Sequence, residues 1–144
     1  YWNRHVYIGT EAQDGVKVVS VDDPDNPDSV YTITDFTNSH NIHIDSNGYL
    51  YVIGAADHDV WIYDLNIPAT PELVGTWNGE YLHDIEVFNN KLYGAAIYSG
   101  QFRGCQDAIG EDDVSCAHVI AAVCRNRPSA DAFIPHRIFH RRVK

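Results

Sequence analysis

One stretch of this chain returns after 44 residues, and that recurrence limits the possible folds more than any other feature. In DGVKVVSVDDPDNPDSV, Asp14 to Val30, and DVWIYDLNIPATPELV, Asp59 to Val74, the offset of 44 pairs Val16 with Val60, Val18 with Ile62, Pro24 with Pro68, Pro27 with Pro71 and Val30 with Val74. SHNIHID and YLHDIEV repeat a second feature, with His40 and His83 offset by 43. A residue lost between the NGYLY and NNKLY turns accounts for the difference, because a hairpin loop can shorten without moving the strands it joins. A tandem unit of this length is one supersecondary element that cannot bury its apolar faces alone and must stack on its neighbours.

The complete copy reads as four short strands. The first lies near His40–Asp45, then come a turn at Ser46-Asn47-Gly48 and a second strand over Tyr49–Ile53. The third covers Val60–Leu65, and the fourth is Glu72–Trp77. Proline cannot donate to a sheet ladder, so the Pro-x-x-Pro segment marks where the chain leaves strand three. VYTIT, YLYVI and VWIYDL have the β-branched and aromatic content of strands, and residues 1–98 carry no helical period. Four strands in a period of 40 to 50 residues predict an all-β fold, an incomplete β-propeller of about two and a half four-stranded blades. The expected divisions are 1–38, 39–80 and 81–98.

The alternating strand, acid and Pro-x-x-Pro of VKVVSVDDPDNP and VWIYDLNIPATP resemble LVIVD-repeat proteins, and SHNIHID with YLHDIEV is similar to the choice-of-anchor B group within them. The resemblance covers about residues 4–98, with Tyr63-Asp64-Leu65 a mild departure from the Ile-Val-Asp pattern. It implies a propeller-like protein, secreted or displayed at the cell surface, whose biochemical activity is unassigned. WD40 repeats share the period, but the Trp-Asp dipeptide that marks them is absent here.

Unit three should place an apolar strand near 103–108 and prolines near 111 and 114, where the sequence has Arg103 to Ala108, Glu111 and Val114. Residues 99–144 therefore read as a divergent, irregular tail, with CAHVIAAVC a short helical turn. Charge changes there too: residues 1–98 hold 15 acidic and 3 basic side chains, and residues 99–144 hold 5 and 7. All three cysteines, Cys105, Cys116 and Cys124, lie in this part; their spacing matches no zinc pattern, and an odd number cannot pair completely within one chain.

The formal charge of −10 argues against nucleic acid or an anionic membrane as partner and suits a cation or a basic partner. No apolar run is long enough to insert into a membrane as a helix. The chain begins without a methionine or a leader, so it reads as a fragment of a longer protein. A protein or carbohydrate ligand is compatible with this composition.

His40 shares strand parity with Ile42 and Ile44, and His83 with Ile85 and Val87, which puts both imidazoles on a face toward a neighbouring unit. The plain reading is structural, with Asn41, Asp84 or backbone groups satisfying the ring nitrogens between blades. The sharper reading uses the same repetition. Equivalent residues converge on a propeller axis, where His40, His83 and Asp84 could hold a divalent metal ion as the cofactor of a hydrolase or lyase. A metal site needs three or four ligands, and only two units supply them. His43 and Glu86, of opposite parity, face a rim or a neighbouring sheet. The acidic DDPDNPD, Asp22 to Asp28, resembles a calcium loop until it is set beside its counterpart NIPATPE, which makes the same turn almost without acids. Asp57-His58-Asp59 reads as an exposed acidic loop. No nucleophile elbow or phosphate-cradling loop is present, so no catalytic residue is assigned. The resulting expectation is a binding scaffold rather than an enzyme.

Overall fold

The computed structural model describes residues 1–55, 58–89, 91–106 and 118–122; residues 105, 106 and 118–122 are described by backbone alone. Among the described residues eleven strands form three antiparallel sheets, and there is no helix. The first sheet joins β1 (His5–Ile8), β2 (Val16–Ser20) and β3 (Asp28–Ile33). The second joins β4 (Asn41–Ile44), β5 (Tyr49–Ile53), β6 (Val60–Asp64) and β7 (Glu72–Trp77), and the third joins β8 (Ile85–Phe88), β9 (Lys91–Ala96), β10 (Gln101–Gln106) and β11 (His118–Ala122). Each is a meander in which sequential strands are neighbours. The all-β expectation is met, and the four strands of the complete copy fall within a residue of their expected limits at every end.

The sequence repeat is a repeat of backbone detail. Asn26 N–H donates to the Asp23 carbonyl at 3.1 Å, and Thr70 N–H donates to the Ile67 carbonyl at 2.9 Å, so both Pro-x-x-Pro segments make one turn 44 residues apart. The register between strands three and four shifts at Val18/Val19 in the first sheet and at Ile62/Tyr63 in the second, leaving Val30 and Val74 as matching bulge residues. The lost residue also lies where the sequence puts it. Ile44 pairs with Leu50 across the β4–β5 turn, whereas Val87 pairs with Leu92 across β8–β9. In the longer turn Gly48 adopts φ +85°, a conformation that side chains disfavour, and the buried Asp45 carboxylate accepts from the Asn47 and Tyr49 N–H groups, both at 2.9 Å.

Alternation then decides packing. Leu50, Val52, Trp61 and Tyr63 on one face of the second sheet form a core with Tyr7, Val16, Val18, Ile33 and Phe36 of the first sheet and its flanking loop. Tyr51, Ile53, Val60 and Ile62 on the opposite face form another with Leu82, Ile85, Leu92 and Ala96 of the third. The second sheet is thus buried on both faces, which explains the nearly unbroken apolar runs YLYVI and VWIY. The third sheet's backbone comes nearest the second where β8 meets β4, the first strand of each. Leu82, which enters that core, rests on Gly94, where a Cβ would lie 2.6 Å from Leu82 Cδ1.

Two expectations about the tail are corrected. The strand judged missing near 103–108 is β10, which pairs with β9 from Gln101↔Ala96 to Gln106↔Lys91. Its apolar alternation is hidden because Arg103 stands opposite Gly94, where its guanidinium meets the Glu80 carboxylate. Backbone ladders do not depend on that alternation. In CAHVIAAVC, residues 118–122 form strand β11 against β10 instead of a helical turn, as the β-branched Val119 and Ile120 favour. The third unit therefore has four strands. Cys116 and Cys124 lie outside the described residues.

Candidate functional site

The two histidines occupy equivalent backbone positions just before the first strand of their sheets. His40 N–H donates to the Ile53 carbonyl and His83 N–H to the Ala95 carbonyl, both at 2.9 Å, so each residue closes the head of a hairpin. Because β4 and β8 converge there, the imidazoles meet with ring centroids 4.3 Å apart. His40 is half-buried and His83 is exposed. His40 Nδ1 lies 2.6 Å from Glu11 Oε1, a residue of the β1–β2 connection that sequence reasoning had not joined to it. Asn41 and Asp84, expected to partner the imidazoles, bond one another instead: Asn41 Nδ2 donates to Asp84 Oδ1 at 3.0 Å. That oxygen also accepts from Ile85 N–H, and Asn41 Oδ1 accepts from Ile42 N–H in the same manner. The polar residue after each histidine thus tidies the strand's first amide and ties one sheet head to the next.

Two tyrosines extend the row of rings. Tyr81 lies 6.2 Å from His40 between centroids, and Tyr98 lies 5.0 Å from Tyr81 with its plane tilted by 40°. Burial first, then the neighbouring Tyr98 and Glu11, push the Tyr81 phenol above its usual value. Tyr98 is 82% exposed, in the turn that follows β9. Beneath the tyrosines, Glu80 accepts from Ser99 Oγ and pairs with Arg103. Tyr81 and Tyr98 were hard to select from sequence because neither lies on a strand, so alternation gives them no role.

Other candidates fall elsewhere. His43 lies against Tyr51 at 6.3 Å, and Glu86 is exposed. In the acidic loop, Asp22 pairs with Arg4 at 2.9 Å, and Asp23 binds the Asn26 side chain and the Asp25 N–H. Those bonds hold the Asp23 carboxyl below its ordinary value. His58 meets Asn78 Oδ1 at 2.8 Å and Trp61 edge-on at 4.6 Å, while Asp59 accepts from Gly79 N–H; Asp57 lies outside the described residues. Among the described residues, no three His, Cys, Asp or Glu side chains are grouped to hold a metal ion.

No protein-family model matches this chain, and no curated protein matches it. Among solved structures it is similar to a Bacteroides uniformis protein provisionally described as a 6-phosphogluconolactonase, with TM-score 0.66 and 21% identity. The match covers 80% of this chain and 36% of that one, so this chain spans about a third of the neighbour's length. At that identity the likeness concerns the fold.

Proposed function

We propose that this chain is a segment of a β-propeller repeat protein of the LVIVD kind, displayed outside the cell, that serves as a binding scaffold rather than an enzyme. The observation that carries the reading is the junction of β4 and β8. A sheet packed on both faces, and drawn to the next at their first strands, is what a blade set around an axis requires, and the second sheet meets both conditions with the third. The strand heads then turn toward one end, where Glu11, His40, Tyr81, His83 and Tyr98 offer polar and aromatic groups outside the core. Loops at the end of a rigid β framework are a common place for recognition. The export of the protein rests on the family resemblance. The neighbour's lactonase description is not carried over, since fold alone does not fix chemistry.

A second reading keeps the divalent metal of a hydrolase or lyase at His40, His83 and Asp84, and the closeness of the two imidazoles is what favours it. Metal analysis separates the two. The full chain, dialysed against zinc or manganese and then against buffer, is expected to retain no stoichiometric metal under the scaffold reading. One equivalent of metal, lost together in His40→Ala and His83→Ala and accompanied by metal-dependent hydrolysis, would establish the enzyme instead.

A further inference from the structure

From the row of rings and the carboxylates beside it, we infer that the strand-head end binds a small organic ammonium ion, with Tyr98 and Tyr81 as its aromatic wall and Glu11 as its counter-charge. This rests on the reading of that end as the binding surface and names the ligand class for it.

Three observations carry the inference. Tyr98 is the most exposed large hydrophobic side chain among the described residues, at 82%, yet its ring rests against Tyr81 with centroids 5.0 Å apart. Exposed aromatic pairs in which one ring backs the other are ready faces for a cation, because the ring quadrupole presents negative charge above its plane. The second observation is charge. Glu11 is 73% exposed along its side chain, and Asp84 is exposed as well. Among the described residues their carboxylates meet the His40 ring, the Asn41 amide and a backbone N–H, and no Lys or Arg. Among the described basic residues Arg103 is occupied by Glu80, Arg4 by Asp22, Lys91 starts β9 at the opposite end, and Lys17 lies on the outer face of the first sheet. The third is proximity: burial first, then the neighbouring Tyr98 and Glu11, push the Tyr81 phenol above its usual value, so the Glu11 carboxylate stands close to the rings.

A neutral ligand could use the rings but would gain nothing from the carboxylates, whereas an anion would be repelled. The size also fits. An ammonium carrying methyl groups is weakly hydrated and matches the face of one tyrosine.

The test is a titration of the full chain with choline at pH 8, read by the ring resonances of the tyrosines and by calorimetry. Its uncharged isostere, 3,3-dimethylbutan-1-ol, and cellobiose are run in parallel. Choline is expected to bind at millimolar affinity and to shift Tyr98 and Tyr81, with the isostere at least tenfold weaker. Tyr98→Ala should weaken choline about tenfold with thermal stability unchanged, Tyr98→Phe should retain it, and Glu11→Gln should weaken it several-fold. Equal binding of choline and its isostere, a stronger response to cellobiose, or no shift at either tyrosine would overturn the inference. Any of those results in a protein that retains no metal leaves the scaffold reading standing, while stoichiometric metal removes that reading whatever choline does.

Discussion

Tyr51 and Tyr93 hold the same position in the second strands of neighbouring sheets, yet they live in different surroundings. Tyr51 is fully buried between the second and third sheets. Tyr93 is half-buried on the third sheet's far face, where it stacks on Phe102 with centroids 6.1 Å apart. Tyr7, their counterpart in the first sheet, is covered by the second sheet and donates from its hydroxyl to the Pro68 carbonyl at 2.8 Å. One residue type at one place in the repeat is therefore core or half-buried according to whether a further sheet is packed on it among the described residues. The stabilisation belongs to the junction between units and not to the unit, which is the nearest-neighbour behaviour of repeat proteins.

The sharpest way to break this comparison is to truncate both tyrosines. Tyr51→Ala should cost about 3–5 kcal/mol in urea unfolding and Tyr93→Ala about 1 kcal/mol; equal losses would mean that each sheet stands alone. Next comes the close approach at the junction. Gly94→Ala should cost about 1–3 kcal/mol by pressing on Leu82, and adding Leu82→Val should recover part of it, so strictly additive losses would remove Leu82 as the obstacle. Alkaline titration sharpens the contrast further. Burial pushes the Tyr7 phenol up to about 12, and burial together with the bond to Asp35 pushes Tyr63 higher still. Both folded values exceed the unfolded value of 10.0, so stability is complete below pH 10 and falls as pH rises toward 12. Tyr7→Phe and Tyr63→Phe should each flatten that fall, and an unchanged profile in both would refute it. The smallest effect is expected at the polar link between sheet heads. A double-mutant cycle of Asn41→Ala and Asp84→Ala should give a coupling of about 0.5–1 kcal/mol, and a coupling above about 2 kcal/mol would shift the joining of the sheets from apolar faces to this bond.

Strands in the first hundred residues were legible because alternation and turn chemistry agree there: Val16 with Val18 and Val60 with Ile62 fall inward, and the paired prolines end strand three in both copies. The third unit was illegible past Ser99 because Arg103 interrupts the apolar pattern, and its compensation by Glu80 depends on folding. The candidate site was half legible. Repetition found His40 and His83, but their partners come from chain segments brought near by topology: Glu11 is 29 residues before His40, and no local pattern marks it. Parity pointed both imidazoles toward a neighbouring unit, and they lie so, His83 beside His40 and His40 beside Glu11, but the expected partners Asn41 and Asp84 bond one another instead.

The shortened β8–β9 hairpin has a practical side. Removing a residue there altered the rear of the third unit and left His83 in its bond to Ala95, so length variation at one pole is insulated from geometry at the other. A tag or reporter inserted after Asn89 would consequently ride on the molecule without disturbing whatever docks at the opposite pole.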